Sequence, residues 1–231
     1  GDFQTKIYIE RPQEFRELSS CFNQMTEELA GIEMLRSDFI NNFSHEFKTP
    51  IVSILGFAKL LKKGDLTPAE QTEYLDIIIE ESDRLVTLST NVLNLSKVES
   101  MSLLTGFSTF NLAEQLRESV VLLESKWNEK NISFNFDLEE IQVNGNEPLL
   151  KQVWVNLLDN AIKFSPVNGE ITLSLSGDDE SVNATLKDYG PGMDENTCHC
   201  IFDKFYQGDP SHASEGNGLG LSLVKKIVEL H

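Results

Sequence analysis

The sequence predicts a chain of more than one domain, an all-α helical hairpin followed by an α+β sandwich. Three observations carry this prediction. Apolar residues recur in steps of three and four at Ile32, Leu35, Phe39, Phe43, Phe47, Ile51, Ile54, Ala58 and Leu61, one buried stripe on a helix. A second stripe of this kind passes through Leu75, Ile78, Ser82, Leu85, Ser89, Val92 and Leu95. Beyond about residue 100 the period changes, and alternating runs such as Ile132-Ser133-Phe134-Asn135-Phe136 stand between helical segments.

Residues 1–31 open with a short extended stretch, Lys6-Ile7-Tyr8-Ile9, then Pro12 and an amphipathic helix bearing Phe15, Leu18, Phe22, Met25 and Leu29. That stripe runs on toward Ile32, with Gly31 weakening the join. The long helix should end near Lys62-Lys63-Gly64, where basic residues suit the negative end of the dipole and glycine suits the cap. Thr67-Pro68-Ala69-Glu70 reads as an N-cap, a first-turn proline and a capping-box glutamate. Two helices with one apolar face each bury it poorly alone. The economical solution is a dimeric four-helix bundle, so a homodimer is expected.

In the second half, 111–130 reads as a helix, 132–136 as a strand and 147–164 as a helix. Strands are expected near 170–176 and 181–187, with Gly177-Asp178 between them. A loop-rich stretch over 189–217 precedes a last helix from about 218. Helices with antiparallel strands imply a sheet covered by helices on one face.

Composition narrows the function. The 231 residues carry a formal net charge of −18, which argues against a nucleic-acid partner, because phosphate binding needs clustered Lys and Arg. Three cysteines do not make a disulfide framework, and the odd count favours a reducing compartment. Cys198-His199-Cys200 has the residue types of a metal site but lacks a second ligand pair at suitable spacing. No run is long and apolar enough to cross a membrane, and no signal peptide is seen. The chain begins abruptly inside a patterned region, which leaves room for a membrane segment upstream.

The chemistry starts at Phe43-Ser44-His45-Glu46-Phe47-Lys48-Thr49-Pro50. Positions four apart share a helical face, which sets Thr49 one turn beyond His45. His45 lies roughly 200° around the wheel from Phe43 at about 100° per residue, so it faces away from the buried stripe. Imidazole is a nucleophile near neutral pH, and the carboxylate of Glu46 beside it can hold or accept a ring proton. Taken alone, a histidine on a polar face is more often simply a solvated one.

Four further motifs lie downstream. Asn156-Leu157-Leu158-Asp159-Asn160-Ala161-Ile162-Lys163 sets two asparagines at i and i+4, with a lysine three beyond. Amide oxygens are hard ligands suited to Mg²⁺, and lysine supplies charge for phosphate; the plain alternative is a polar helix face. Asp188-Tyr189-Gly190-Pro191-Gly192 follows a strand, where glycines permit close backbone approach and a carboxylate can accept from an exocyclic amine. Ile201-Phe202-Asp203-Lys204-Phe205-Tyr206 is aromatic and suits either a pocket cover or packing. Gly216-Asn217-Gly218-Leu219-Gly220-Leu221 opens a helix, where free amides and the dipole favour phosphate.

The order and spacing of these five motifs resemble the bacterial sensor histidine kinases of two-component systems, over essentially the whole chain. Residues 1–31, with Gly1-Asp2-Phe3 and Glu14-Phe15-Arg16-Glu17-Leu18, look like the second half of a HAMP linker. Residues 32–105 resemble the dimerisation and phosphotransfer domain. Residues 106–231 resemble the Bergerat-type ATP-binding sandwich shared with gyrase, Hsp90 and MutL proteins.

The resemblance implies that His45 takes the γ-phosphoryl group of ATP, with Glu46 as the assisting base. The group then passes to an aspartate on a response regulator's receiver domain. It implies Asn160 as the Mg²⁺ ligand with Asn156 beside it, Lys163 on phosphate and Asp188 on the adenine amino group. Gly190, Gly192, Gly216, Gly218 and Gly220 shape the nucleotide loops, and 189–217 forms a mobile lid. Thr49 positions the water that dephosphorylates the regulator, and Pro50 supports a regulated bend. Such a chain belongs to the cytoplasmic portion of a bacterial cell-membrane protein.

Some positions depart from the family pattern. Phe164 stands where many relatives have tyrosine. Gln207 replaces a frequent arginine, and Lys204 is the substitute charge. Relatives continue past Glu229-Leu230-His231 into a glycine turn and further strands. Two rival readings share the nucleotide motifs, a gyrase- or Hsp90-type ATPase and a nucleotide-binding scaffold that does not phosphorylate itself.

Overall fold

A computed structural model of the chain describes residues 5–8, 13–101, 103–178, 181–208 and 216–231. The side chains of Gln13, Glu14, Ile32 and Leu35 lie outside that description, as do Gly1-Asp2-Phe3, Ile9 and Pro12. The chain divides into two compact units, 1–85 and 86–231.

Helix α1 (Gln13–Lys63) runs unbroken through Gly31. The expected weakness there does not interrupt it, because one glycine costs a long helix only about 1 kcal/mol. Pro50 sits inside α1 and is fully buried. Its ring removes one backbone bond, and Thr49 Oγ1 donates to the His45 carbonyl at 3.3 Å beside that gap.

The hairpin turns through Gly64 and Asp65, both at positive φ (77° and 62°). Helix α2 (Pro68–Glu99) then starts on the expected capping box. Thr67 N–H donates to Glu70 Oε2 at 2.7 Å, and Glu70 N–H donates to Thr67 Oγ1 at 3.3 Å. Phe57 and Tyr74 meet across the hairpin with ring centroids 5.1 Å apart.

The single apolar stripe expected of α1 is in fact two-sided. Ile54 and Leu61 are half-buried, whereas Ile51 and Leu55 are about half exposed, at 49% and 51%. On α2, Leu75, Ile79, Val86 and Leu93 are likewise exposed, in steps of four and seven. The hairpin contact uses one face of each helix and leaves a second apolar face open.

Ahead of α1, residues 5–8 have no regular secondary structure but are held along the helix. Ile7 N–H donates to Asn23 Oδ1 at 2.8 Å, and Asn23 Nδ2 returns a bond to the Ile7 carbonyl at 2.7 Å.

In the second unit, β1 (Ser108–Asn111) leads into α3 (Leu112–Leu122) and the short α4 (Glu124–Glu129). The one helix expected over 111–130 is therefore two, broken at Leu123, whose φ and ψ of −101° and 16° leave the helical region. Asn111 is the cap of α3 and accepts from the N–H groups of Ala113 and Glu114.

Then follow β2 (Ser133–Leu138), β3 (Gln142–Gly145), α5 (Glu147–Phe164), β4 (Glu170–Gly177), β5 (Val182–Asp188), α6 (Glu195–Cys200) and α7 (Gly220–Leu230). Strands β2, β4 and β5 form one sheet in that order, parallel between β2 and β4 and antiparallel between β4 and β5. The sheet is thus mixed rather than purely antiparallel. A separate antiparallel pair, β1 with β3, went unpredicted because each strand is four residues long and mostly polar.

The core lies between α3, α5 and β4. Strand β4 alternates, sending Ile171, Leu173 and Leu175 inward against Leu116, Leu158 and Ile162. Burying each such side chain is worth roughly 1.5–3 kcal/mol. On its other flank α5 meets α7, which buries Leu223 and Ile227. The C-terminal end of α5 then lies against the loops, Lys163 at Gly216 and the Phe164 carbonyl at Gly190.

Candidate functional site

In the first unit the octapeptide lies on α1, with His45 exposed and Phe43 and Phe47 half-buried. Rings meet along the inner side, Phe39 stacked on Phe43 at 6.2 Å and Phe43 tilted against Phe47 at 4.4 Å. The helix therefore turns the imidazole outward. Glu46 does not bond His45 among the described contacts; Arg84 Nη2 of α2 lies 3.2 Å from its Oε2, with both side chains about a quarter exposed. Arg84 has no sequence signal, since the pair spans the hairpin.

In the second unit α5 starts on Asn146, whose side chain accepts from Leu149 N–H at 3.1 Å, with Pro148 in the first turn. Asn156, Asn160 and Lys163 then fall on one face, all half-buried. Asn156 Nδ2 donates to the Gln152 carbonyl at 2.8 Å. Its Oδ1 points at α7, where a Cβ on Gly220 would come within 2.9 Å of it. Lys163 Nζ lies 4.6 Å from the centre of the Phe164 ring and 3.2 Å from where a Gly216 Cβ would stand.

The loop after β5 closes on the same helix. Gly190 N–H donates to Asp188 Oδ1 at 2.9 Å, and a Cβ on Gly190 would meet the Phe164 carbonyl at 2.7 Å. Gly192 has φ of 75°. Gly218, with φ of 64°, is wedged against Phe205 and Tyr206 backbone atoms at 2.6 to 2.7 Å from a Cβ position. Its carbonyl accepts from Phe205 N–H at 2.9 Å. Helix α7 begins with no side-chain cap, so its first amides are free of one.

These contacts bring Asn156, Lys163, Asp188, Gly190, Gly216 and Gly220 together around α5, while Gly218 packs against the Phe205–Tyr206 backbone. Asn160 shares the face of Asn156 by helical spacing. Lys204 is placed differently, with its Nζ 2.5 Å from Glu99 Oε1 at the end of α2. Gln207, which departs from the family pattern, donates through Nε2 to the Gly216 carbonyl at 2.9 Å and so braces the glycine loop. Asn217 Oδ1 accepts from Leu219 N–H at 3.3 Å. Asp194 caps α6, and its bonds from Thr197 hold its carboxyl below the usual range.

The motif Cys198-His199-Cys200 lies on α6, with Cys198 and His199 exposed. Among the described residues no three His, Cys, Asp or Glu side chains gather as for a metal ion. Nor is any described helix long and apolar enough to cross a membrane.

Comparison with known proteins follows the same division. Residues 35–100 match the family described as the His Kinase A (phospho-acceptor) domain. Residues 145–231 match the family described as histidine kinase-, DNA gyrase B- and HSP90-like ATPase. The heme sensor protein HssS of Staphylococcus saprophyticus is 35% identical over 231 residues, all of this chain and 50% of the relative. HssS of Staphylococcus aureus strain JH9 is 32% identical, again over the whole chain and 50% of the relative. The chain thus spans half the length of the curated relatives it matches. Among solved structures, histidine kinase ThkA in complex with the response regulator TrrA aligns at TM-score 0.66 and 30% identity, covering 93% of this chain and 56% of that one. The histidine kinase AdeS of Acinetobacter baumannii, at TM-score 0.65 and 23% identity, covers 80% of this chain and 86% of its own and shares the fold.

Proposed function

The chain belongs to the two-component sensor histidine kinases, and from that premise we propose that it phosphorylates itself on His45 from ATP. It then passes the phosphoryl group to an aspartate on a response regulator's receiver domain. The observation that carries this reading is the pairing, in one chain, of an outward imidazole on a helix with a cradle of glycines, amides and a lysine around α5. The first supplies a nucleophile and the second a place for its donor.

The residues fit a nucleotide. A side chain on Gly218 would collide with the Phe205–Tyr206 backbone and one on Gly220 would press on the Asn156 amide, and the uncapped start of α7 offers backbone N–H groups to phosphate. Lys163 supplies the positive charge, and Asp188 accepts from the adenine amino group. Asn160 would hold Mg²⁺ with Asn156 nearby; the ion supplies charge neutralisation on the phosphates when bound. Catalysis of this type is mainly positioning, so the two units must dock to bring His45 to the γ-phosphate. His45 attacks phosphorus through a ring nitrogen, ADP leaves, and Glu46 holds or takes the imidazole proton. The Arg84 pairing orients that carboxylate.

Thr49, one turn beyond, serves the opposing activity by placing a water against the regulator's phosphoaspartate, which hydrolyses to aspartate and inorganic phosphate. The open apolar faces of α1 and α2 support a homodimer built as a four-helix bundle. The solved complex of ThkA with TrrA supports a receiver domain as the partner. Residues 1–31 act as the end of a HAMP linker, a reading supported by the clamp of Asn23 on Ile7. The remaining chain divides into a dimerisation and phosphotransfer domain at 32–105 and an ATP-binding domain at 106–231. Attachment to the inner face of a bacterial membrane runs through an upstream segment.

Transfer tests the proposal. With γ-labelled ATP, Mg²⁺ and a panel of response-regulator receiver domains, label leaves the chain and appears on a receiver. The His45→Gln variant passes none. Nucleotide binding without any transfer would make the chain a scaffold. Thr49→Ala should slow receiver dephosphorylation by about tenfold or more, while leaving label transfer intact. An unchanged dephosphorylation rate would remove the role given to Thr49.

A further inference from the structure

The last carbonyls of a helix have no partner within it. At the end of α5 one side chain answers three of these groups. Lys130 Nζ donates to the Ile162, Lys163 and Ser165 carbonyls at 3.0, 2.6 and 3.3 Å. A cation at a helix C-terminus is favoured by the dipole, and such charge-assisted bonds are roughly twice as strong as neutral ones.

Lys130 is itself fixed from the other end. Its carbonyl accepts from Asn168 N–H at 2.8 Å, and the next residue, Asn131, turns the chain at φ of 50°. Ile132 N–H then bonds the Trp127 carbonyl at 2.9 Å, and the Ile132 side chain enters the core. The ammonium therefore leaves a backbone whose position is set by packing.

The turn it holds is the one on which the nucleotide loops converge. The Lys163 ammonium stands against Gly216, and the Phe164 carbonyl against Gly190, whose amide is tied to Asp188. Shifting the end of α5 moves both contacts.

The geometry points to Lys130 as a positioning residue for nucleotide binding, acting through the last turn of α5 rather than by touching the nucleotide. This rests on the nucleotide reading above. A simple helix cap would affect stability alone; a positioning residue also sets affinity.

Autophosphorylation kinetics and binding of a fluorescent ATP analogue separate the two in the whole chain. Lys130→Met keeps the aliphatic stem and removes the charge. It should raise KM for ATP about tenfold with kcat within about twofold of the unaltered chain. Lys130→Arg should restore KM to within about threefold, because a guanidinium can still serve several carbonyls. A Lys130→Met chain that melts earlier yet binds the analogue unchanged overturns the proposal. If Lys130→Met does not fold, Lys130→Arg and Lys130→Gln decide: weaker binding by the Gln variant alone supports it, and equal binding by both overturns it. If the unaltered chain binds no analogue, the nucleotide reading fails, and this inference with it.

Discussion

At the scale of single residues, glycine positions carry the sharpest consequences. Gly218 combines positive φ with backbone atoms 2.6 Å from where a Cβ would stand. Gly218→Ala should destabilise the second unit by about 1–3 kcal/mol and weaken ATP binding, since the loop must move to admit the methyl group. Thermal unfolding with and without nucleotide measures both; an unchanged melting temperature and affinity would show that the loop tolerates a side chain. Which residues the sequence makes legible follows from how local their chemistry is. His45 could be read because its orientation follows from helical periodicity, and Gly218 because only a special backbone needs glycine there. Arg84, Lys130 and Gln207 could not, because each acts on a partner that the fold brings close. The sequence offers Lys204 as a charge for the nucleotide, and its Glu99 partner depends on contacts far apart in sequence.

At the scale of elements, termini are chemistry that local sequence does encode. The capping box of α2 was legible from Thr67 and Glu70 alone, and its bonds are present. The Thr67 backbone N–H, then its hydroxyl, hold the Glu70 carboxyl below its usual value. A depressed carboxylate stabilises the fold above its unfolded pKa, and that contribution is lost as pH falls through the folded one. Glu70→Gln should therefore flatten the acid side of the hairpin's pH–stability curve; an unaltered curve would mean the box contributes nothing.

The cap of α3 gives a parallel test. Asn111→Ala removes the acceptor for two amides and should cost about 1 kcal/mol in denaturant unfolding, whereas a loss below a few tenths would mean water replaces it. What local sequence concealed is equally physical. The break at Leu123 carries no glycine or proline, and β1 and β3 are too short to show a period. The parallel pairing of β2 with β4 is a property of the sheet, absent from either strand alone.

At the scale of the whole molecule, one chain joins two units with different tasks. The helical unit presents an outward imidazole and keeps apolar faces open on α1 and α2. The α+β unit builds a cradle around one helix whose ends are capped by Asn146 and Lys130. Neither half performs the proposed chemistry alone, which is why the octapeptide read by itself is ambiguous and gains meaning from the glycine loops far downstream. The division into helical hairpin and sandwich was legible because hydrophobic period changes with secondary structure. The second apolar face of α1 was not separated from the first, because one wide stripe and two adjoining ones have nearly the same spacing.

The central claim is that His45 carries the phosphoryl group. Incubation with γ-labelled ATP and Mg²⁺, followed by mapping of the modified residue, addresses it directly. The account predicts an acid-labile, base-stable label on His45, lost in His45→Gln while ATP still binds. Label at another residue, or bound ATP with His45 left unmodified, would contradict it.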